Sequence, residues 1–77
     1  MNLRQVFATN LRRIRHAQGF SQEDLAYAAD VDRTYLSKLE RGASNVGIDI
    51  IAKLARVLKI EPGELLKFPR RSTTRAK

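Results

Sequence analysis

The sequence predicts an all-α fold, a compact bundle of five helices over residues 1–68 followed by a flexible basic tail at 69–77. Three observations lead there. Apolar residues recur at helical spacing, not in strand alternation. Gly19, Gly42, Gly47 and the pair Pro62-Gly63 cut the chain into pieces of helical length. Ser21 and Asp32 stand where helices in those pieces need a capping side chain.

The first helix is expected at about 3–18. Phe7, Leu11 and Ile14 fall at i, i+4 and i+7 and form one apolar stripe, with Arg4, Arg12 and Arg13 off it. Gly19 can adopt the left-handed conformation that ends a helix. The second, 21–29, starts at the hydroxyl of Ser21. Asp24 makes a weakened capping box there, and Gln22, Glu23 and Asp24 suit the positive end of the helix dipole. Its inner face is Leu25, Ala26 and Ala29. Asp32 caps the third, 32–41, which turns Leu36 and Leu39 inward and stops at Gly42. The fourth, 47–58, turns in Ile51, Leu54, Ala55 and Leu58. The fifth, 62–67, places Pro62 at the first helical position and carries Leu65 and Leu66. Residues 69–77 have no apolar period and read as a solvated basic tail.

Seventy-seven residues make a thin domain. Chains this short bury only about 60% of their unfolded surface, and many gain stability by association. Ile60, Leu65, Leu66 and Phe68 are therefore assigned to a homodimer interface, with intramolecular core as the alternative. Fifteen Lys and Arg against eight Asp and Glu leave a net charge of +7. Such a field favours nucleic acid as partner, with an anionic membrane surface second.

Several functions are excluded by what the chain lacks. Asp49, Lys53 and Arg56 interrupt the most apolar stretch, so no membrane segment is expected. The absence of cysteine removes disulfides and thiolate sites and fits a reducing, cytoplasmic setting. The single histidine, His16, cannot assemble a zinc site. Neither a nucleophile–base pair nor a phosphate-cradling glycine loop is legible, so no enzyme, cofactor or small-molecule ligand is expected.

The informative segment is Phe20 to Gly42, FSQEDLAYAADVDRTYLSKLERG. Two short helices are joined there by a few residues. Ala26 is small where two helices must cross, Val31 plugs the turn, and Leu36 and Leu39 pin the second helix by one face. That is the requirement of a helix-turn-helix, whose second helix keeps a face free for the major groove. On that face Arg33 can fork onto guanine, and Thr34 offers a hydroxyl and a methyl for thymine. Lys38 can reach guanine or phosphate. Ser21 and Gln22 open the preceding helix and suit a phosphate oxygen. Ser37, Arg41, Ser44, Asn45 and Arg12 complete the expected backbone contacts. Tyr35 either joins them or packs its ring on the helix pair.

The runs GFSQEDLA, DRTYLSKLERG and IIAKLARVLKIEPGELL resemble the Cro and phage-repressor class of helix-turn-helix proteins, the XRE family, over about Phe7 to Leu66. Within that class the chain is similar to controller proteins of restriction–modification systems, which share QEDLA, then DRTY-hydrophobic-S, then ER, followed by Asn. The resemblance implies five helices, a homodimer through the last helix, and inverted-repeat operators. It implies base reading by Arg33, Thr34 and Lys38, and phosphate contacts near Ser21, Gln22, Tyr35 and Asn45. It also implies a pair, Arg15 with Glu40, tying the first helix to the recognition helix. Asp30 stands where the family has Gly and Ser44 where controllers often carry Arg; Val46 replaces a frequent Pro. Of the residues with side chains, Asp is among those that best tolerate a left-handed conformation.

The expected function is a sequence-specific transcriptional regulator that binds double-stranded operator DNA as a homodimer. The alternative is an antitoxin that binds a toxin protein as well as its own operator.

Overall fold

The computed structural model describes residues 2–68. The chain forms α1 (Leu3–Ala17), α2 (Gln22–Ala29), α3 (Arg33–Glu40) and α4 (Ile48–Leu58), then a 3-10 turn over Pro62–Leu66. No strand occurs among the described residues. The tail expected at 69–77 lies outside them.

Side-chain chemistry fixes where three of the helices start. Asn2 Oδ1 accepts from the Gln5 N–H at 2.9 Å, Ser21 Oγ from Asp24 at 2.9 Å, and Asp32 Oδ2 from Tyr35 at 3.1 Å. Each such cap contributes about 1 kcal/mol. The Asn2 cap had no counterpart in the sequence reading.

All four helices stop in the same way. The N–H of Phe20 reaches back to the Arg15 carbonyl, Val31 to Ala26, Ala43 to Lys38 and Ile60 to Ala55. This wide closure requires a left-handed residue just before the donor. Gly19 (φ 78°) and Gly42 (φ 69°) supply it for α1 and α3, Asp30 (φ 56°) and Lys59 (φ 59°) for α2 and α4. Asp30 thus takes the conformation that its side chain tolerates.

The core is leucine-rich. Phe7 and Leu11 of α1 meet Leu25, Leu36, Leu39, Leu54, Leu58 and Leu65, all buried. α2 packs on both α3 and α4, while α1 packs on α3 and on the terminal turn. Burying each leucine fully is worth roughly 1.5–3 kcal/mol.

Two expectations are corrected here. The fifth helix is not an α-helix but five residues of 3-10 turn. The segment is only five residues long and contains Gly63, a poor helix former, and the tighter closure from Glu64 N–H to the Glu61 carbonyl forms at its start (2.9 Å). The second correction is Leu65, expected at a subunit contact but 0% exposed in the monomer core. Asn10 is the cause. This residue, 2% exposed on the inner stripe of α1, donates its amide to the carbonyls of Leu65 (3.0 Å) and Lys67 (2.8 Å). Two carbonyls at the end of the short turn are satisfied this way, and the turn is drawn onto α1.

Candidate nucleic-acid interface

Eight residues make α3, and their spacing decides what faces out. Leu36 and Leu39 are buried against the core, leaving Arg33, Thr34 and Lys38 exposed and Ser37 half-buried. The Asp32 carboxylate caps the helix through the Tyr35 N–H. Arg33 and Lys38 therefore present positive charge from a face whose one flanking carboxylate is already engaged. Arg41 continues that face from the C-cap, its Nη1 3.4 Å from Ser37 Oγ.

The back of α3 is gripped at Glu40, which is 1% exposed. Arg15 Nε donates to Glu40 Oε2 at 2.6 Å and Arg15 Nη2 to Oε1 at 2.9 Å. The expected pair is thus a bidentate, buried ion pair from α1 to α3. Arg15 Nη1 also donates to the Phe20 carbonyl at 2.8 Å, which fixes the link between α1 and α2. One turn earlier, Arg12 Nη1 donates to the Glu40 backbone carbonyl at 2.6 Å. A cation at this position complements the negative end of the α3 dipole. Arg12, expected on phosphate, therefore spends one N–H on the recognition helix itself.

Gln22 supplies a third hold on the same residue. Its Nε2 donates to Glu40 Oε1 at 3.1 Å. From the sequence, Gln22 suits the start of α2 and a phosphate oxygen; nothing in the spacing signals its link to Glu40. Gln22 also lines, with Arg33, Thr34 and Ser37, a polar hollow of about 190 Å³ between the start of α2 and the front of α3. The structure thus brings base-facing and phosphate-facing candidates to one concavity. Ser21, beside it, uses its hydroxyl as the α2 cap.

The loop after α3 is tied twice at Asn45. Tyr35 is half-buried against the core and donates its hydroxyl to the Asn45 carbonyl at 2.8 Å. Arg4 Nη2 donates to Asn45 Oδ1 at 2.6 Å. Tyr35 therefore packs its ring and holds the loop. From the sequence alone Arg4 is only a charge off the apolar stripe. Ser44 is half-buried and Asn45 exposed on the same loop. The remaining interface candidates lie elsewhere: Ile60 and Leu66 are half-buried against the core, and Phe68 is 58% exposed. Among the described residues no group of acidic, His or Cys side chains could hold a metal, and no helix is long and apolar enough to cross a membrane.

A helix-turn-helix family model matches residues 11–65, a span that runs from the middle of α1 to the buried Leu65. The chain is 43% identical over 68 residues to control protein C.BamHI of Bacillus amyloliquefaciens, covering 87% of this chain and 84% of that protein. It is 33% identical over 66 residues to control protein C.SmaI of Serratia marcescens, covering 86% and 79% of the two. Among solved structures, the restriction-modification controller protein C.AhdI from Aeromonas hydrophila superposes with a TM-score of 0.78 at 47% identity, over 80% of this chain and 94% of that one.

Proposed function

Because the chain belongs to the helix-turn-helix family of DNA-binding transcriptional regulators, we propose that it occupies inverted-repeat operators as a homodimer and serves as the controller of a restriction–modification system. The observation that carries this reading is the orientation of α3. Its apolar side is fixed by Leu36 and Leu39 and its end by Glu40, while Arg33, Thr34 and Lys38 project together into solvent. Arg33 forks onto guanine O6 and N7, Thr34 meets a thymine methyl, and Lys38 reaches guanine or phosphate. Ser21, Gln22, Ser37, Arg41, Ser44 and Asn45 hold the flanking sugar-phosphate backbone, with help from Arg12, while Tyr35 keeps its one O–H on the Asn45 carbonyl and holds the loop in place.

A second copy is assigned to the end of the molecule that carries Ile60, Leu66 and Phe68. Leu66 also lines a mostly apolar hollow of about 410 Å³ with Leu3, Phe7, Val46 and Ile51, completed by Arg4 and Asn45, and association would cover its apolar part. Residues 1–68 form the acting unit, and 69–77 add nonspecific attraction to the duplex. The names of the relatives supply the restriction–modification context.

The test is selection of binding sites from a random duplex library with purified protein. The expected product is a two-fold repeat whose half-sites are centred about 10 bp apart, one helical turn. Enrichment of a single, non-repeated site, or of none, contradicts the dimeric operator reading.

A further inference from the structure

Gln22 sits at a junction that its place in the first turn of α2 does not explain. Behind it lies the buried Glu40 carboxylate; in front lies the hollow shared with Arg33, Thr34 and Ser37. A glutamine amide has two N–H donors and one carbonyl acceptor. One donor is spent on Glu40 Oε1 at 3.1 Å. That oxygen is itself immobile, since it also accepts from Arg15 Nη2 at 2.9 Å and belongs to a residue 1% exposed. Holding one N–H fixes the plane of the amide and which end of it carries the donors. A long polar side chain loses rotamer freedom when it binds a partner. Here that loss is incurred on folding.

We infer that Glu40 is a positioning residue for DNA binding, acting through Gln22: the buried carboxylate orients the Gln22 amide so that its second N–H faces a phosphate oxygen at the mouth of the hollow. The inference rests on the DNA-binding reading given above. It assigns the ion pair between Arg15 and Glu40 a task beyond holding α3 in place. The same carboxylate that fixes the recognition helix also sets the phosphate contact at the start of α2, so the two surfaces keep one register.

Two properties separate this role from a structural one. Gln22 is uncharged, so losing its contact releases no fewer counterions, and the slope of log affinity against log salt stays unchanged. The contact is to backbone, so operator and random duplex weaken alike.

The experiment is a double-substitution cycle read by fluorescence anisotropy on an operator duplex and a random duplex across a salt series. Gln22→Met keeps the bulk and removes the amide. Glu40→Asp keeps the charge but withdraws the carboxylate from Gln22 by one methylene. Each single substitution is expected to weaken both duplexes about tenfold with an unchanged salt slope, the size of one lost hydrogen bond to a charged group. The double variant is expected to be no weaker than Gln22→Met alone. Additive losses, or full affinity for Gln22→Met, overturn the inference. Should Glu40→Asp fail to fold, Gln22→Met and the side-chain amide NMR signal of Gln22 decide. A Gln22 amide proton that is protected from exchange supports the inference; two amide protons that both exchange as fast as those of a solvent-exposed glutamine overturn it. Arg33→Ala in the same assay separates the two levels. If it too leaves operator binding intact, the DNA-binding reading has failed, whereas a loss with Arg33→Ala alone leaves that reading standing.

Discussion

Arg15 and Glu40, twenty-five residues apart in sequence, meet in a bidentate pair with almost no exposure to solvent. A buried pair of this kind adds little net stability over apolar residues of the same volume, because desolvation offsets the attraction. Its geometry is what is useful. Two parallel hydrogen bonds fix an angle as well as a distance. Arg12 on the Glu40 carbonyl and Gln22 on Oε1 complete a hold on one residue at the end of the recognition helix.

Removing one partner leaves the other buried without its counter-charge. Glu40→Ala is expected to destabilise the fold by about 3–5 kcal/mol, whereas replacing both residues with Met or Leu recovers most of that loss. Urea unfolding of the single and double variants measures the difference. An equal loss in both would show that volume, not unpaired charge, sets the cost.

Asp32 stands at the start of the recognition helix and holds the Tyr35 N–H. Asp32→Ala is expected to cost about 1 kcal/mol of stability. Asp32→Ser, which can cap in the same manner, is expected to recover most of it. Thermal unfolding of the two variants checks the ranking.

Lys59 ends α4 with φ 59° and ψ 45°, a left-handed conformation unfavourable for a residue with a Cβ. Lys59→Gly relieves that strain and is expected to stabilise the protein by about 0.5–1 kcal/mol, the strain removed less the entropy that glycine adds to the unfolded chain. Gly42→Ala at φ 69° is expected to shift stability the other way by about 1–2 kcal/mol. Its new Cβ would lie in ordinary contact with Gln5, so the penalty comes from the backbone and not from crowding. Chemical denaturation of both variants tests the opposed signs.

Much of this fold is legible because its rules are local. Ser21 and Asp32 announce helix starts through short-range chemistry, and Gly19 and Gly42 announce stops through backbone freedom. The apolar stripe of Phe7, Leu11 and Ile14 shows which face of α1 is inward. Long-range polar contacts are not written in that way. Asn10 lies on the same stripe, three residues after Phe7, and a polar group there is the one signal that something buried needs its amide. Without knowing its partners, the terminal turn could equally face out or fold back, and the small size of the domain argues for Leu65 at a subunit contact until the Asn10 amide is seen to hold the turn inward. Arg15 and Glu40 were paired by resemblance and not by spacing, since their meeting depends on how α1 crosses α3. The link from Gln22 to Glu40 depends on the same crossing and left no trace in the sequence.

The outward set on α3 was readable because Leu36 and Leu39, three residues apart, define the buried side and leave the remainder to solvent. From that face, base reading is assigned first to Arg33. The direct measurement is the affinity of Arg33→Ala for its operator, for operators altered at each base pair, and for random duplex. The expected result is a loss of about 1–3 kcal/mol on the operator and relaxed discrimination at a single position in each half-site, with random-duplex binding reduced far less. Unchanged discrimination at every position, with an equal loss on all duplexes, would contradict it and leave Arg33 as one more phosphate contact.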